Sequence, residues 1–141
     1  MKPPRTVYGI LNGNVVFHWK FAFGNTNDRS HFHAIVWGET DRERISNKYI
    51  TVLKNGNQII NPALDTTLKT RLNATSNISQ HECSWKFVLK KAKREDERIT
   101  YGSAIDVHGI IFRDGPIHII LQSELNYISL HYLISIRAVF N

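Results

Sequence analysis

The sequence contains very little cysteine and no long apolar segment. Cys83 is the only cysteine among 141 residues, which excludes an internal disulfide bond and a zinc–thiolate cluster. No run approaches the roughly 18 apolar residues of a membrane-spanning helix. The basic start at residues 1–5 is not followed by the apolar stretch of a secretory signal, so we expect an intracellular protein in a reducing compartment.

Sequence motifs that mark common enzymes are missing as well. The chain has no glycine-rich phosphate loop, no His-Glu-x-x-His helix and no Gly-x-Ser-x-Gly turn. These absences favour a protein that is not an enzyme, and they leave any cofactor unknown. Internal repeats and linkers rich in proline, glycine or serine are also absent, so residues 1–141 are expected to form a single domain of ordinary size.

The composition indicates a globular, basic protein. Apolar residues make up 42% of the chain and charged residues 21%, which suits a chain that buries a core without disulfides. The formal net charge is +6 and the pI is about 9.6. An excess of positive charge favours anionic partners, either nucleic acid or an acidic protein surface.

The strongest periodic signal has a period of two residues. Val15, Phe17 and Trp19 begin an apolar alternation that continues through position 23, and similar alternations occur in residues 31–38, 85–89 and 128–136. Successive side chains of a strand point to opposite faces, so each segment is predicted to be a strand. A helix through residues 84–96 also fits the spacing of the apolar residues there and stays open as an alternative.

Turn residues divide the chain into short elements. Asn12-Gly13 predicts a hairpin that joins residues 5–11 to 14–23, and Asn55-Gly56 predicts another that joins 48–53 to 57–60. Residues 113–116 predict a turn between strands 98–112 and 117–122. One short helix is predicted over residues 61–72. The expected fold is mainly β, an antiparallel β-sandwich or barrel of about nine strands with one short helix.

Two glycosylation sequons occur in the segment that follows the predicted helix. They are Asn73-Ala74-Thr75 and Asn77-Ile78-Ser79. Residues 73–82 are polar and are expected to form a loop. Because no signal sequence is visible, the sequence favours chance matches over modified sites.

The segment His31-Phe32-His33-Ala34-Ile35-Val36 is the one short motif that suggests catalysis. Histidines two residues apart on a strand point the same way, so both imidazoles could reach one divalent cation. The segment resembles the His-hydrophobic-His motif of single-strand nicking endonucleases that start rolling-circle replication or transposition. That resemblance implies a metal held by His31 and His33. If residues 127–131 were helical instead of a strand, Tyr127 and His131 would share a face and supply the nucleophile and a third ligand.

A concentrated basic segment is the second candidate site. Residues 86–98 hold six basic and three acidic side chains. The net charge of this segment is therefore +3, which is half of the +6 of the whole chain. Cations that bind phosphate and rings that stack on bases are what a single strand of nucleic acid requires. The segment is predicted to form the tip of a hairpin. The predicted nucleic-acid-binding residues are Trp85, Lys86, Lys90, Lys91, Lys93, Arg94, Arg98 and Tyr101.

Three functional hypotheses follow from these features. The first is a small binding or assembly protein, of a size and charge that fit a viral or phage-type protein. It would contact nucleic acid or an acidic protein through the basic hairpin, and it could form a homo-oligomer. The second is the metal-dependent nicking enzyme. The third is a carbohydrate-binding β-sandwich, in which Trp19, Trp37 and Trp85 would form a stacking platform if exposed.

Overall fold

The fold is described by a computed structural model for residues 1–79 and 81–123. These residues form nine strands in two sheets, together with two short helices and one 3₁₀ helix, Arg94–Arg98. The strands are β1 Thr6–Ile10, β2 Val15–Ala22, β3 Phe32–Asp41, β4 Arg44–Leu53, β5 Gln58–Ile60, β6 Leu72–Ile78, β7 Glu82–Leu89, β8 Thr100–Val107 and β9 Ile110–Gln122. The helices are α1 Thr26–Ser30 and α2 Thr66–Thr70. The predicted β-sandwich of about nine strands is confirmed, with two short helices instead of one.

The two sheets differ in size. The larger has the strand order β1-β9-β8-β3-β4-β5, and the smaller has the order β2-β7-β6. All neighbouring strands run antiparallel except β1 and β9, which are parallel. Each sheet therefore has one face toward the other sheet and one face toward solvent.

An aromatic cluster fills the space between the sheets. Trp37 on β3 is fully buried, and its ring centroid lies 5.6 Å from that of Phe17 on β2 and 5.3 Å from that of Phe87 on β7. The period-two alternation in β2 places Val15, Phe17 and Trp19 in this core. Large buried rings contribute most of the apolar area that stabilises a small domain.

The hairpin predicted at Asn12-Gly13 is wrong, although the turn itself is present. The amide of Gly13 donates to the carbonyl of Ile10 at 2.9 Å. The two strands that the turn connects then enter different sheets, since β1 pairs with β9 and β2 pairs with β7. The turn thus links the two layers of the sandwich. The hairpin at Asn55-Gly56 is confirmed, with β4 and β5 paired on either side of it.

The turn predicted at residues 113–116 is also wrong. Strand β9 continues through these residues, and the chain reverses instead at His108 and Gly109, both of which have positive φ. The register of β8 and β9 shifts near Gly102. A Cβ at Gly102 would lie 2.5 Å from the carbonyl oxygen of Asp114, so close backbone approach requires glycine there.

Four further expectations are corrected or lie outside the described residues. The helix expected over residues 61–72 is reduced to α2, which the Asp65 side chain caps. Residues 72–78 form strand β6 instead of a loop, because β7 supplies hydrogen-bonding partners that the local sequence does not reveal. The helix alternative for residues 84–96 is replaced by β7 and the 3₁₀ helix. The strand predicted at residues 128–136 lies outside the described residues.

Candidate functional site

The two histidines of the predicted metal motif do not share a strand face. His31 follows α1 as its C-terminal cap, whereas His33 lies on β3 with an exposed side chain. Within residues 1–79 and 81–123, no group of three His, Cys, Asp or Glu side chains is placed to hold a metal ion. Tyr127 and His131 lie outside the described residues. The argument that His31 and His33 point to the same side of one strand is therefore wrong, while metal binding by these histidines stays a prediction.

His31 instead contacts a histidine that the sequence did not connect to it. Its ring stacks on that of His108 with centroids 4.1 Å apart, and His108 Nε2 lies 2.9 Å from Asp28 Oδ1. Helix α1 supplies Asp28, its C-terminal cap supplies His31, and the tight β8–β9 turn supplies His108. No local pattern could have revealed this contact, because its partners lie about eighty residues apart in the sequence.

The basic segment does not form the tip of a hairpin. Lys86 is exposed on β7, while the other basic residues lie in the connection from β7 to β8 that contains the 3₁₀ helix. Arg94 is engaged, since its guanidinium lies 2.6 Å from Glu97 Oε1 and 2.7 Å from the Leu121 carbonyl. Lys90 is half-buried. Lys86, Lys91, Lys93 and Arg98 are the exposed cations that remain available to an anionic partner.

The aromatic residues predicted to stack on bases or sugars are buried. Trp85 and Tyr101 are 1% and 0% exposed, and the Tyr101 hydroxyl donates to the Asp96 carbonyl at 3.2 Å. Trp19 and Trp37 are also buried. None of these rings offers a free face to a base or a sugar, so the expectation of an aromatic platform is corrected. These aromatic residues alternate with polar residues because their side chains point into the core between the two sheets.

The outer face of the six-stranded sheet carries a groove that the sequence analysis did not single out. The groove has a volume of about 460 Å³ and crosses β3, β4, β8 and β9. Register shows why these side chains share one face, since Val36 on β3 lies between Thr51 on β4 and Ala104 on β8. We call this the outer-sheet groove. Its centre is lined by the small or apolar side chains Ala34, Val36, Thr51 and Ala104, with Ile45 and Ile111 beside them.

Charged side chains of both signs line the same groove. Arg44, Lys48, Asp106 and Arg113 contribute three cations and one carboxylate. None of the four forms an ion pair with another residue of the described ranges. Asp106 accepts a hydrogen bond from the Gly109 amide at 3.0 Å. An apolar centre with charged groups at its margin is the arrangement of many protein–protein interfaces.

The thiol of Cys83 is not suited to nucleophilic chemistry. The residue lies buried on β7, and burial raises the pKa of its thiol above the ordinary value. The thiol therefore stays protonated at neutral pH, whereas a nucleophilic cysteine requires the thiolate.

Neither α1 nor α2 is long and apolar enough to cross a membrane, and the described chain has no other α-helix.

The topology defines a sandwich of the variable immunoglobulin type. In the larger sheet, the hairpin strands β4 and β5 lie beside β3 and extend the sheet beyond β9, β8 and β3. A buried tryptophan, Trp37, lies on β3. Tyr101 donates its hydroxyl to a backbone carbonyl five residues upstream, as in the tyrosine corner of such domains. The position two residues after this tyrosine is Ser103, where antibody domains have a disulfide cysteine.

Comparison with known proteins agrees with this class of fold. The chain is similar to the solved structure of the swine CD8aa homodimer, with a TM-score of 0.59 and 13% sequence identity. The match covers 87% of this chain and 97% of the CD8 chain. No family model and no curated protein matches the sequence. The likeness establishes the fold and leaves function to be argued from the surface.

Proposed function

We propose that this domain is a non-enzymatic recognition module that associates with a second copy of itself through the outer-sheet groove. The observation that carries the proposal is the groove itself. It combines an apolar centre of small side chains with unpaired charges of both signs, on the outward face of the larger sheet. The swine protein of similar fold is described as a homodimer, which supports the choice of a second copy.

Two facing grooves bring together two carboxylates and six cations, so a symmetric pairing matches both carboxylates and leaves four cations without a carboxylate. In a two-fold interface, residue i of one copy contacts residue j of the other, and the reverse contact also forms. Asp106 of each copy would then meet Arg44, Lys48 or Arg113 of the other, so each carboxylate gains a cationic partner. The small side chains at the centre, such as Ala34 and Ala104, would let the two sheets approach closely.

The oligomeric state in solution tests this proposal. We expect the protein to sediment as a dimer at high concentration and to dissociate on dilution. Ala104→Lys places a long charged side chain at the centre of the groove and should leave a monomer with the melting temperature of the dilute, dissociated wild type. Lys86→Glu, an exposed charge reversal on the smaller sheet, should leave the dimer intact. A wild-type protein that is monomeric at every concentration, or an unaffected Ala104→Lys dimer, would show that the proposal is wrong.

Nucleic-acid binding is retained as a second candidate function. The specific observation in its favour is that Lys91, Lys93 and Arg98 are exposed in one connection between β7 and β8. Without exposed rings nearby, such a site would bind phosphates alone and would not discriminate bases. The viral or phage-type origin and the intracellular location expected from the sequence stay predictions.

A further inference from the structure

We propose that Asn73 and Asn77 are N-glycosylated, and that the glycans cover the outward face of the three-stranded sheet. Both asparagines belong to sequons, Asn73-Ala74-Thr75 and Asn77-Ile78-Ser79. The structure places both on β6, an edge strand of that sheet, with exposed side chains. The proposal requires that the chain pass through a secretory compartment, and it therefore competes directly with the intracellular expectation.

Strand register places both asparagines on the same face. Asn73 pairs with Val88 of β7, and Asn77 pairs with Ser84. Ala74, between them in the sequence, is buried against the core and marks the inward face. Four residues of strand separate the two sites by roughly 13 Å, which is enough for two glycans to extend side by side into solvent.

The acceptor groups of the two sequons are accessible. Asn73 Oδ1 accepts a hydrogen bond from the Ala74 amide at 2.9 Å, while its Nδ2 bonds to no described residue. Thr75, which supplies the first sequon hydroxyl, is exposed. In the second sequon Asn77 is exposed, while the Ser79 hydroxyl is engaged in an exposed turn, where it donates to the Glu82 carbonyl at 2.6 Å and accepts from the Glu82 amide at 3.1 Å. No buried group must move to admit a sugar at either asparagine.

Glycans on this face would serve the fold and leave the outer-sheet groove open. An exposed edge strand presents unpaired backbone groups that invite pairing with another chain, and bulky groups beside it prevent that pairing. The groove lies on the outward face of the other sheet, so the sugars and a docked second copy would occupy opposite sides of the sandwich. The glycosylation proposal does not depend on dimerisation.

The modification is a group transfer from a lipid-diphosphate-linked oligosaccharide. The Asn Nδ2 forms a bond to the anomeric carbon of the first sugar, and the bond from that carbon to the diphosphate oxygen breaks. The lipid diphosphate leaves with the bonding electron pair. The amide loses one proton to the transferase, so the side chain becomes a secondary amide.

The test is expression of the full chain in eukaryotic cells behind an added secretion signal. We expect two steps of added mass on gel electrophoresis, both removed by peptide-N-glycosidase, which leaves aspartate at positions 73 and 77 in mass spectra. Asn73→Gln, Thr75→Ala and Asn77→Gln should each remove one step, while Thr75→Ser should retain both. Asn57→Gln, an exposed asparagine outside a sequon, is the matched control and should also retain both.

Two results would overturn the inference. The first is secreted, folded protein with unmodified asparagine at both positions. The second is added mass that persists in the Asn73→Gln/Asn77→Gln double variant, which would place the sugar elsewhere. The double variant should keep the wild-type melting temperature, which separates loss of sugar from loss of fold. Neither result bears on self-association through the groove, which sedimentation of unglycosylated protein measures independently.

Discussion

The guanidinium of Arg71 forms a two-point ion pair with the carboxylate of Asp96 inside the domain. Both side chains are less than a tenth exposed. Arg71 Nη1 donates to Asp96 Oδ1 at 3.3 Å, and Nη2 donates to Oδ2. Arg71 Nε also donates to the Lys90 carbonyl at 3.0 Å. The pair thus ties the end of α2 to the β7–β8 connection and holds the 3₁₀ helix against the core.

Loss of one partner of this buried pair should destabilise the fold strongly. Arg71→Met leaves the Asp96 carboxylate buried without its cation, and such a change costs about 3–5 kcal/mol in the free energy of unfolding. Urea denaturation followed by circular dichroism measures this loss. Lys20→Met, which breaks the exposed Lys20–Glu82 pair, is the matched control and should cost about 0–1 kcal/mol. Equal losses in the two variants would contradict the prediction.

The aromatic cluster between the sheets should be the main source of stability. Trp37→Ala removes a fully buried ring that contacts Phe17, Phe87 and Tyr101. We expect a loss of about 3–5 kcal/mol, measured by far-ultraviolet circular dichroism during denaturation. Tyr8→Ala removes a ring that is 68% exposed and should change stability by less than about 0.5 kcal/mol. A small effect of Trp37→Ala would show that this cluster does not hold the sheets together.

Stability should fall as the pH drops below about 6.5, partly because of His18. Burial lowers the pKa of His18 from its ordinary value of 6.5, and the charges of Lys86 and Lys20 lower it further. Between the pKa of His18 in the folded protein and its pKa of 6.5 in the unfolded chain, the unfolded chain binds more protons. The contribution of neutral His18 to the free energy of unfolding is therefore complete above pH 6.5. It is lost as the pH falls through the pKa of the folded protein.

The titration of His18 by nuclear magnetic resonance measures this pKa directly. Lys86→Gln should raise the His18 pKa toward 6.5, because it removes the largest charge contribution. His18→Gln should make the melting temperature less dependent on pH in the acid range. A His18 that titrates at or above 6.5 in the wild-type protein would show that burial does not control its protonation.

The exposed lysines of the β7–β8 connection should account for any binding to nucleic acid. Lys91→Glu/Lys93→Glu should weaken binding to single-stranded DNA and reduce the slope of log K against log salt by about 0.7 for each lost phosphate contact. The melting temperature should change little, since both side chains are exposed. Arg94 is unsuitable for this test because it bonds Glu97 and the Leu121 carbonyl.

A charge-matched control separates a local site from the overall charge. Arg42→Glu/Lys54→Glu changes the net charge by the same amount at two exposed residues, in the β3–β4 and β4–β5 connections, that lie outside the outer-sheet groove. It should affect DNA binding less than the double lysine variant. Fluorescence anisotropy with a labelled oligonucleotide at low salt measures both. If the wild-type protein does not bind the oligonucleotide, nucleic-acid binding is wrong and the positive net charge only solvates the surface.

Local patterns predicted the sandwich because they report which face of a strand is buried. The alternation of Phe17 and Trp19 with Val16 and His18 requires only that one face of β2 meet a core, and the structure confirms it. The Asn55-Gly56 hairpin was predictable for a similar reason, since a tight turn needs a residue that tolerates positive φ, and Gly56 has φ 87°.

The sequence by itself determined the strand-rich class, the absence of a disulfide and several of the elements. Only the tertiary structure decided which strands are neighbours, because period-two alternation specifies a face and carries no information about the hydrogen-bonding partner. The turn at Asn12-Gly13 could equally join paired strands or link two sheets, and pairing of β1 with the distant β9 settled it. The stacking of His31 on His108 and the outer-sheet groove depend on the same long-range pairings, which is why neither could be read from residues close in sequence.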